Sequence, residues 1–317
     1  MRRALCALGR AAGLAMALSG AASAAEPVRV AALGFGTVAW ELDGLQRAGL
    51  DTANGFTLQL APVASADAAT VALQGGAADI VLADWFWVSR QRAQGRDYRL
   101  AAHPQALGGL VAAARSGIRD LAELRGRHLG IAGGADDKTW RLLQVYAQRH
   151  EGFDAAREIR VDFAPPPTLN QLLLRGRLDA VLSFWHFNAR LVAAGQRPLL
   201  DANAMLRGLG FSPPPPLLGW VFAGGWAQAH GDALRGFLRA SAAAQQRLRD
   251  DDAAWQALRP LMQAGDEAEF LALRDAYRAG LRNVAEDIDA RDAARLCALL
   301  GGEALQPGTF WPAEARR

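Results

Sequence analysis

The residues able to do chemistry in this 317-residue chain stand just after short apolar runs. Gly34-Phe35-Gly36-Thr37-Val38-Ala39 follows VRVAAL with the spacing of a dinucleotide fingerprint, whose glycines let a backbone approach a pyrophosphate. The next apolar run ends in Pro62-Val63-Ala64-Ser65, without the acid that would hold a ribose. Gly36 and Thr37 are therefore read as ligand-cleft backbone or a plain turn. Gly133-Gly134-Ala135-Asp136-Asp137-Lys138-Thr139 has the outline of a phosphate loop. Asp137, however, stands where a glycine must precede the lysine, and a carboxylate there repels phosphate. What remains is a Gly-rich helix entry suited to a polar or anionic group. Lys138 is the only lysine, against 34 arginines, and is either a solvated first-turn residue or a ligand contact.

Aromatics crowd two further run ends: Trp85-Phe86-Trp87 and Trp185-His186-Phe187. With Trp40 and Trp140 they put at least four indoles near candidate crevice loops, either as core or as surfaces for stacking on a ligand. Asp84 reads either as a helix cap or as a polar ligand contact. Thr168 with Gln171 three residues on forms a capping box after Pro165–Pro167. The candidate ligand residues are thus Gly36, Thr37, Trp40, Asp84 and Trp85 in the first half, and Gly134, Asp136, Lys138, Thr168, Trp185 and His186 in the second. There is no G-x-S-x-G elbow and no H-E-x-x-H, and the five histidines show no metal-ligand spacing. The expectation is a non-enzyme without metal or cofactor.

A duplication positions these groups. LQGGAADIVLADWFW (73–87) returns one hundred residues later as LLRGRLDAVLSFWHF (173–187). Leu73/Leu173, Gly76/Gly176, Asp79/Asp179, Val81/Val181, Leu82/Leu182 and Trp85/Trp185 match without a gap. Each copy reads as a helix end, a glycine turn, an aspartate, a buried strand and aromatics, with both aspartates expected to close the turn. Strands alternate with short helices on either side, which calls for mainly parallel sheets covered by helices. The expected fold is an α/β protein of two lobes facing each other across a cleft. Residues 25–115 form the first part of lobe 1, 116–214 lobe 2, and 215–317 a return strand and C-terminal helices on lobe 1. The chain is expected to cross near 113–118 and to return near 213–217.

Residues 1–24 read as an export leader. Arg2, Arg3 and Arg10 lead into AAGLAMALSGAA, and Ala22-Ser23-Ala24 supplies a cleavage site before Ala25. The apolar run is too short to span a bilayer. Without the leader, 32 basic residues balance 32 acidic ones, which gives no support for nucleic-acid binding. Cys297 alone survives cleavage, so no intrachain disulfide is expected.

The ordered set VRVAALGFG, ALQGGAADIVLAD, DLAELRGRHLGIAGGADD and NQLLLRGRLDAVLSF, behind an export signal, resembles the nitrate/sulfonate/taurine (NitT/TauT) substrate-binding proteins of ABC importers. The resemblance covers roughly residues 27–225. It implies a type 2 periplasmic binding protein fold and a monomeric periplasmic receptor. Such a receptor would hold a small-molecule solute between its lobes and pass it to the membrane permease. The aromatic crevice with Asp84, Asp136 and Asp137 nearby points to an organic ligand with a flat or apolar part, and an amine is compatible. The alternative is a periplasmic accessory protein that keeps this fold, such as an assembly partner of a quinoprotein oxidoreductase.

Overall fold

The computed structural model describes residues 25–34, 36–282 and 284–312, so the expected leader lies outside the described residues. The first lobe runs β1 (Glu26–Leu33), α1 (Thr37–Arg47), α2 (Leu50–Ala53), β2 (Phe56–Val63), α3 (Ala66–Gln74), β3 (Ile80–Asp84), α4 (Trp85–Ala93) and β4 (Tyr98–Ala102). The second runs β5 (Gly109–Ala112), β6 (His128–Ile131), α5 (Lys138–Tyr146), α6 (Ala155–Glu158), β7 (Arg160–Phe163), α7 (Pro166–Leu174), β8 (Ala180–Ser183), α8 (Trp185–Ala193), β9 (Arg197–Asp201) and α9 (Ala202–Gly208). The chain returns through β10 (Leu218–Ala223) and ends in α10 (Gly224–Ala229), α11 (Gly231–Asp250), α12 (Asp252–Met262), α13 (Glu267–Gly280) and α14 (Ala290–Leu299).

Two five-stranded sheets result, ordered β2-β1-β3-β10-β4 and β7-β6-β8-β5-β9. In each, four strands run in one direction and one antiparallel strand enters between the third and the edge strand, β10 in lobe 1 and β5 in lobe 2. The lobes therefore share one topology and exchange a single strand. β5 and β8 are buried along their whole length, as central strands covered on both faces must be.

The duplicated phrase folds twice in the same way. Gly76 and Gly176 turn with φ of 71° and 80°, which a glycine adopts without steric cost. Asp79 accepts the backbone N–H of Arg29 at 2.8 Å, and Asp179 accepts that of His128 at 2.9 Å. Each aspartate thus ties its turn to the neighbouring strand.

Two expectations need correction. The crossing between sheets occupies residues 103–108, because β5 belongs to the second sheet and does not lead out of the first. Gly108 and Gly109 let β5 enter: a Cβ there would lie 2.1 Å from the Ser183 carbonyl oxygen or 2.6 Å from that of Leu200. Thr168 is no helix cap, since α7 already starts at Pro166 and lacks a side-chain cap. Proline at the first helical position supplies the correct φ and has no N–H to satisfy, so it starts the helix ahead of the threonine.

Finally, the C-terminal helices pack on both lobes. Tyr277 of α13 reaches Trp185 of lobe 2, with ring centroids 5.8 Å apart. Arg190 of α8 donates to the Met262 carbonyl at 2.7 Å and pairs with Glu269. The crossing segment is held by a buried polar cluster. Glu41 of α1 lies 2.6 Å from His103 Nε2 and accepts from Tyr277 Oη at 2.7 Å and from Gln105 at 3.3 Å.

Candidate functional site

The crevice is bounded by loops at the C-terminal ends of the parallel strands, where helices begin and their first N–H groups lack intrahelical partners. Four of these helix starts are decisive. In α4, Asp84 accepts from the Trp87 amide at 2.8 Å. In α5, Asp137 accepts from Thr139 at 2.9 Å and Trp140 at 3.0 Å. Burial raises the carboxyl pKa of Asp137, while these amides and Lys138 oppose the rise. By contrast, α1 begins after Gly36 and α8 after Phe184, and neither has a side-chain cap.

These two open helix ends meet. A Cβ on Gly36 would stand 3.7 Å from the His186 ring, and Gly36 itself has φ 103°, a conformation that favours glycine. Trp40 lies edge-on to Trp185 with centroids 6.1 Å apart and near His186 at 6.5 Å. Both nitrogens of His186 are sealed from solvent without a hydrogen-bond partner. Burial, reinforced by the Arg190 charge, lowers the imidazole pKa to about 4, so the ring is neutral at pH 7. The junction offers N–H dipoles and an uncharged imidazole, a setting suited to a hydrogen-bond-accepting head group.

The remaining sequence candidates divide. Asp84 and Lys138 do come together, Oδ2 to Nζ at 2.9 Å, as an ion pair between lobes. Asp136 is spent on Arg141 at 2.6 Å. Gly134 and Thr168 are exposed, whereas Thr37 is buried in the first turn of α1. Of the two readings for the indoles, core or stacking surface, the structure places their rings in the core. Trp85 is 0% exposed, stacked on Phe86 and donating to the Pro216 carbonyl at 3.2 Å. Trp40 at 2% and Trp185 at 8% are packed on each other and on Trp255 and Tyr277, and Trp140 is 3% exposed. The long C-terminal helices bring these covering rings, which short-range patterning could not foresee. Glu41, His103 and Tyr277 were also missed. Their one local signal is a glutamate four residues before Leu45 on the buried face of α1. Among the described residues no group of three or more metal-binding side chains forms, and no helix is long and apolar enough to cross a membrane.

No protein-family model matches the chain, and no curated protein matches it significantly. Solved structures do. The periplasmic aliphatic sulphonate-binding protein SsuA of Escherichia coli superposes with a TM-score of 0.68 at 17% identity, over 87% of this chain and 86% of that one. The alkanesulfonate-binding SsuA of Xanthomonas axonopodis pv. citri gives 0.68 at 18% identity, over 90% and 98%. The periplasmic nitrate-binding protein NrtA of Synechocystis PCC 6803 gives 0.59 at 13% identity, over 78% and 69%. The chain has the two-lobe fold of these periplasmic binding proteins.

Proposed function

We propose that this chain is the solute receptor of an ABC importer, exported with its leader cleaved after Ala24 and working in the periplasm as a monomer. It closes on a small organic solute between its lobes and presents the closed form to a permease. The observation that carries this reading is the meeting of two uncapped helix N-termini across the crevice, with the unpartnered ring of His186 between them. A solute touching both ends favours the closed form by its differential affinity for it. Asp84 pairs with Lys138 and Asp137 caps α5, so neither of these buried or half-buried carboxylates is free for an amine. The head group is therefore an acceptor, as in the sulfonates bound by the SsuA proteins, carried on a short organic body.

Native mass spectrometry of the purified mature chain tests this by detecting a retained molecule. Tryptophan fluorescence titrations with alkanesulfonates, nitrate and alkylamines follow, since Trp40 and Trp185 report closure. Saturable binding of an acceptor-headed solute, lost in His186→Ala, is expected. Binding confined to amines, or stable co-purification with another periplasmic protein and no small molecule, would overturn the reading.

A further inference from the structure

We infer that the end of lobe 2 facing away from the crevice docks on the headgroups of an anionic phospholipid surface, without crossing it. The second sheet places one arginine at that end of every strand. Arg160 opens β7, Arg127 stands just before β6, Arg177 lies in the turn before β8, Arg115 in the turn after β5, and Arg197 opens β9. The strand order β7-β6-β8-β5-β9 sets them side by side. The register agrees, with His128 beside Arg160, Leu129 beside Ala180, and Ala112 beside both Ala180 and Arg197. Over four strand spacings of about 4.8 Å the row is roughly 19 Å long, more than one small anion spans.

All five arginines are exposed. Arg115 donates to the carbonyls of Leu173 at 3.3 Å and Leu178 at 2.8 Å. The other four have no ion-pair partner among the described residues, because Glu158 pairs with Arg125 and Asp179 accepts the His128 amide. Lobe 1 has no such row: one hundred residues earlier, Ala77 and Asp97 stand where lobe 2 has Arg177 and Arg197. Two exposed apolar side chains share this end. Leu174, 48% exposed, and Val192, 39% exposed, lie in the last turns of α7 and α8, which both run from the crevice toward it. Guanidinium groups pair bidentately with phosphate, and apolar side chains among them fit the boundary between headgroups and acyl chains. An acidic protein face would engage only the charges. Docking by this end holds the protein at a membrane and leaves the crevice free to open and close, whatever solute it takes.

The test is vesicle sedimentation of the mature chain with phosphatidylcholine alone and with about 30 mol% phosphatidylglycerol, at about 50 and 300 mM salt. Binding to the anionic vesicles only, falling at the higher salt, is expected. Each arginine near such a surface contributes a factor of about five in partition, so Arg127→Gln/Arg160→Gln/Arg177→Gln should weaken it roughly 100-fold. Leu174→Ser should weaken it about threefold or more. Arg90→Gln/Arg282→Gln/Arg291→Gln removes the same charge from exposed positions elsewhere and should change partition less than about threefold. Three results would overturn the inference: no preference for the anionic vesicles, an equal loss in the two triple variants, or competition by soluble polyglutamate as strong as that by phosphatidylglycerol vesicles, which would assign the row to an acidic protein.

Discussion

Phe184→Asp should make the protein more stable and less able to bind its solute. Phe184 precedes α8 with φ −66° and ψ 146°, close to the −91° and 153° of Asp84 before α4. An aspartate at 184 can therefore compete for the Phe187 amide, which now donates to the Phe184 carbonyl at 3.0 Å, as Asp84 takes that of Trp87 at 2.8 Å. A good N-cap contributes about 0.5–2 kcal/mol. Phe184 is 42% exposed, so little packing is lost, and a net gain of about 1 kcal/mol corresponds to a rise of roughly 2–4 °C in Tm. Binding changes in the opposite direction. The new carboxylate takes up the helix-end donors and repels an acceptor head, costing about 3 kcal/mol, or roughly 100-fold in Kd. Thermal unfolding and calorimetric titration with the solute found by native mass spectrometry read the two effects separately. Unchanged affinity in a stabilised variant would refute the placement of the head group at α8, and a lowered Tm would refute the capping argument.

His186 should make closure sensitive to acid. Its pKa of about 4 in the closed form lies below the usual 6.5, so an opened crevice binds the proton first. The closed form has its full stability above about pH 6.5 and loses it as pH falls toward 4. At pH 5 opening should be favoured on the order of tenfold, visible in tryptophan fluorescence and absent in His186→Gln. Asp84→Asn keeps the α4 cap but removes the inter-lobe charge pair. It should cost closure about 0.2–1 kcal/mol, less at high salt, and Lys138→Gln added to it should cost nothing more in a double-mutant cycle read by X-ray scattering. Tyr277→Phe should destabilise the protein by about 1.5–3 kcal/mol in urea unfolding, because it removes a donor from buried Glu41.

The closed conformation has contacts of its own apart from any solute. Trp40 against Trp185, Tyr277 against Trp185 and the Asp84–Lys138 pair all join lobe 1 or the C-terminal helices to lobe 2. Each aromatic pair contributes about 0.5–1.5 kcal/mol beyond simple burial. These contacts favour the conformation in which the two lobes meet, whatever else lies between them. α13 ties together the crossing segment, through Tyr277 and Glu41, and α8, through Arg190 and Glu269. Opening must therefore loosen α13 from α8.

The two-lobe fold was legible because the central strands are short, buried and followed by turns whose chemistry is local. The glycine φ values and the paired roles of Asp79 and Asp179 follow from the repeated phrase itself. The crossing was misplaced because β4 and β5 are separated only by residues 103–108, a spacing that resembles a hairpin, while their different sheets depend on contacts with distant β8 and β10. The indoles were misjudged for a related reason: whether a ring after a strand faces a ligand or a neighbour depends on helices up to two hundred residues away. Where the two copies agree, they build turns and strands. Where Asp84 faces its counterpart Phe184, one lobe closes its helix end with a carboxylate and the other leaves it open. A single mismatch in a duplicated phrase thus separates a helix start closed by a carboxylate from one without a side-chain cap.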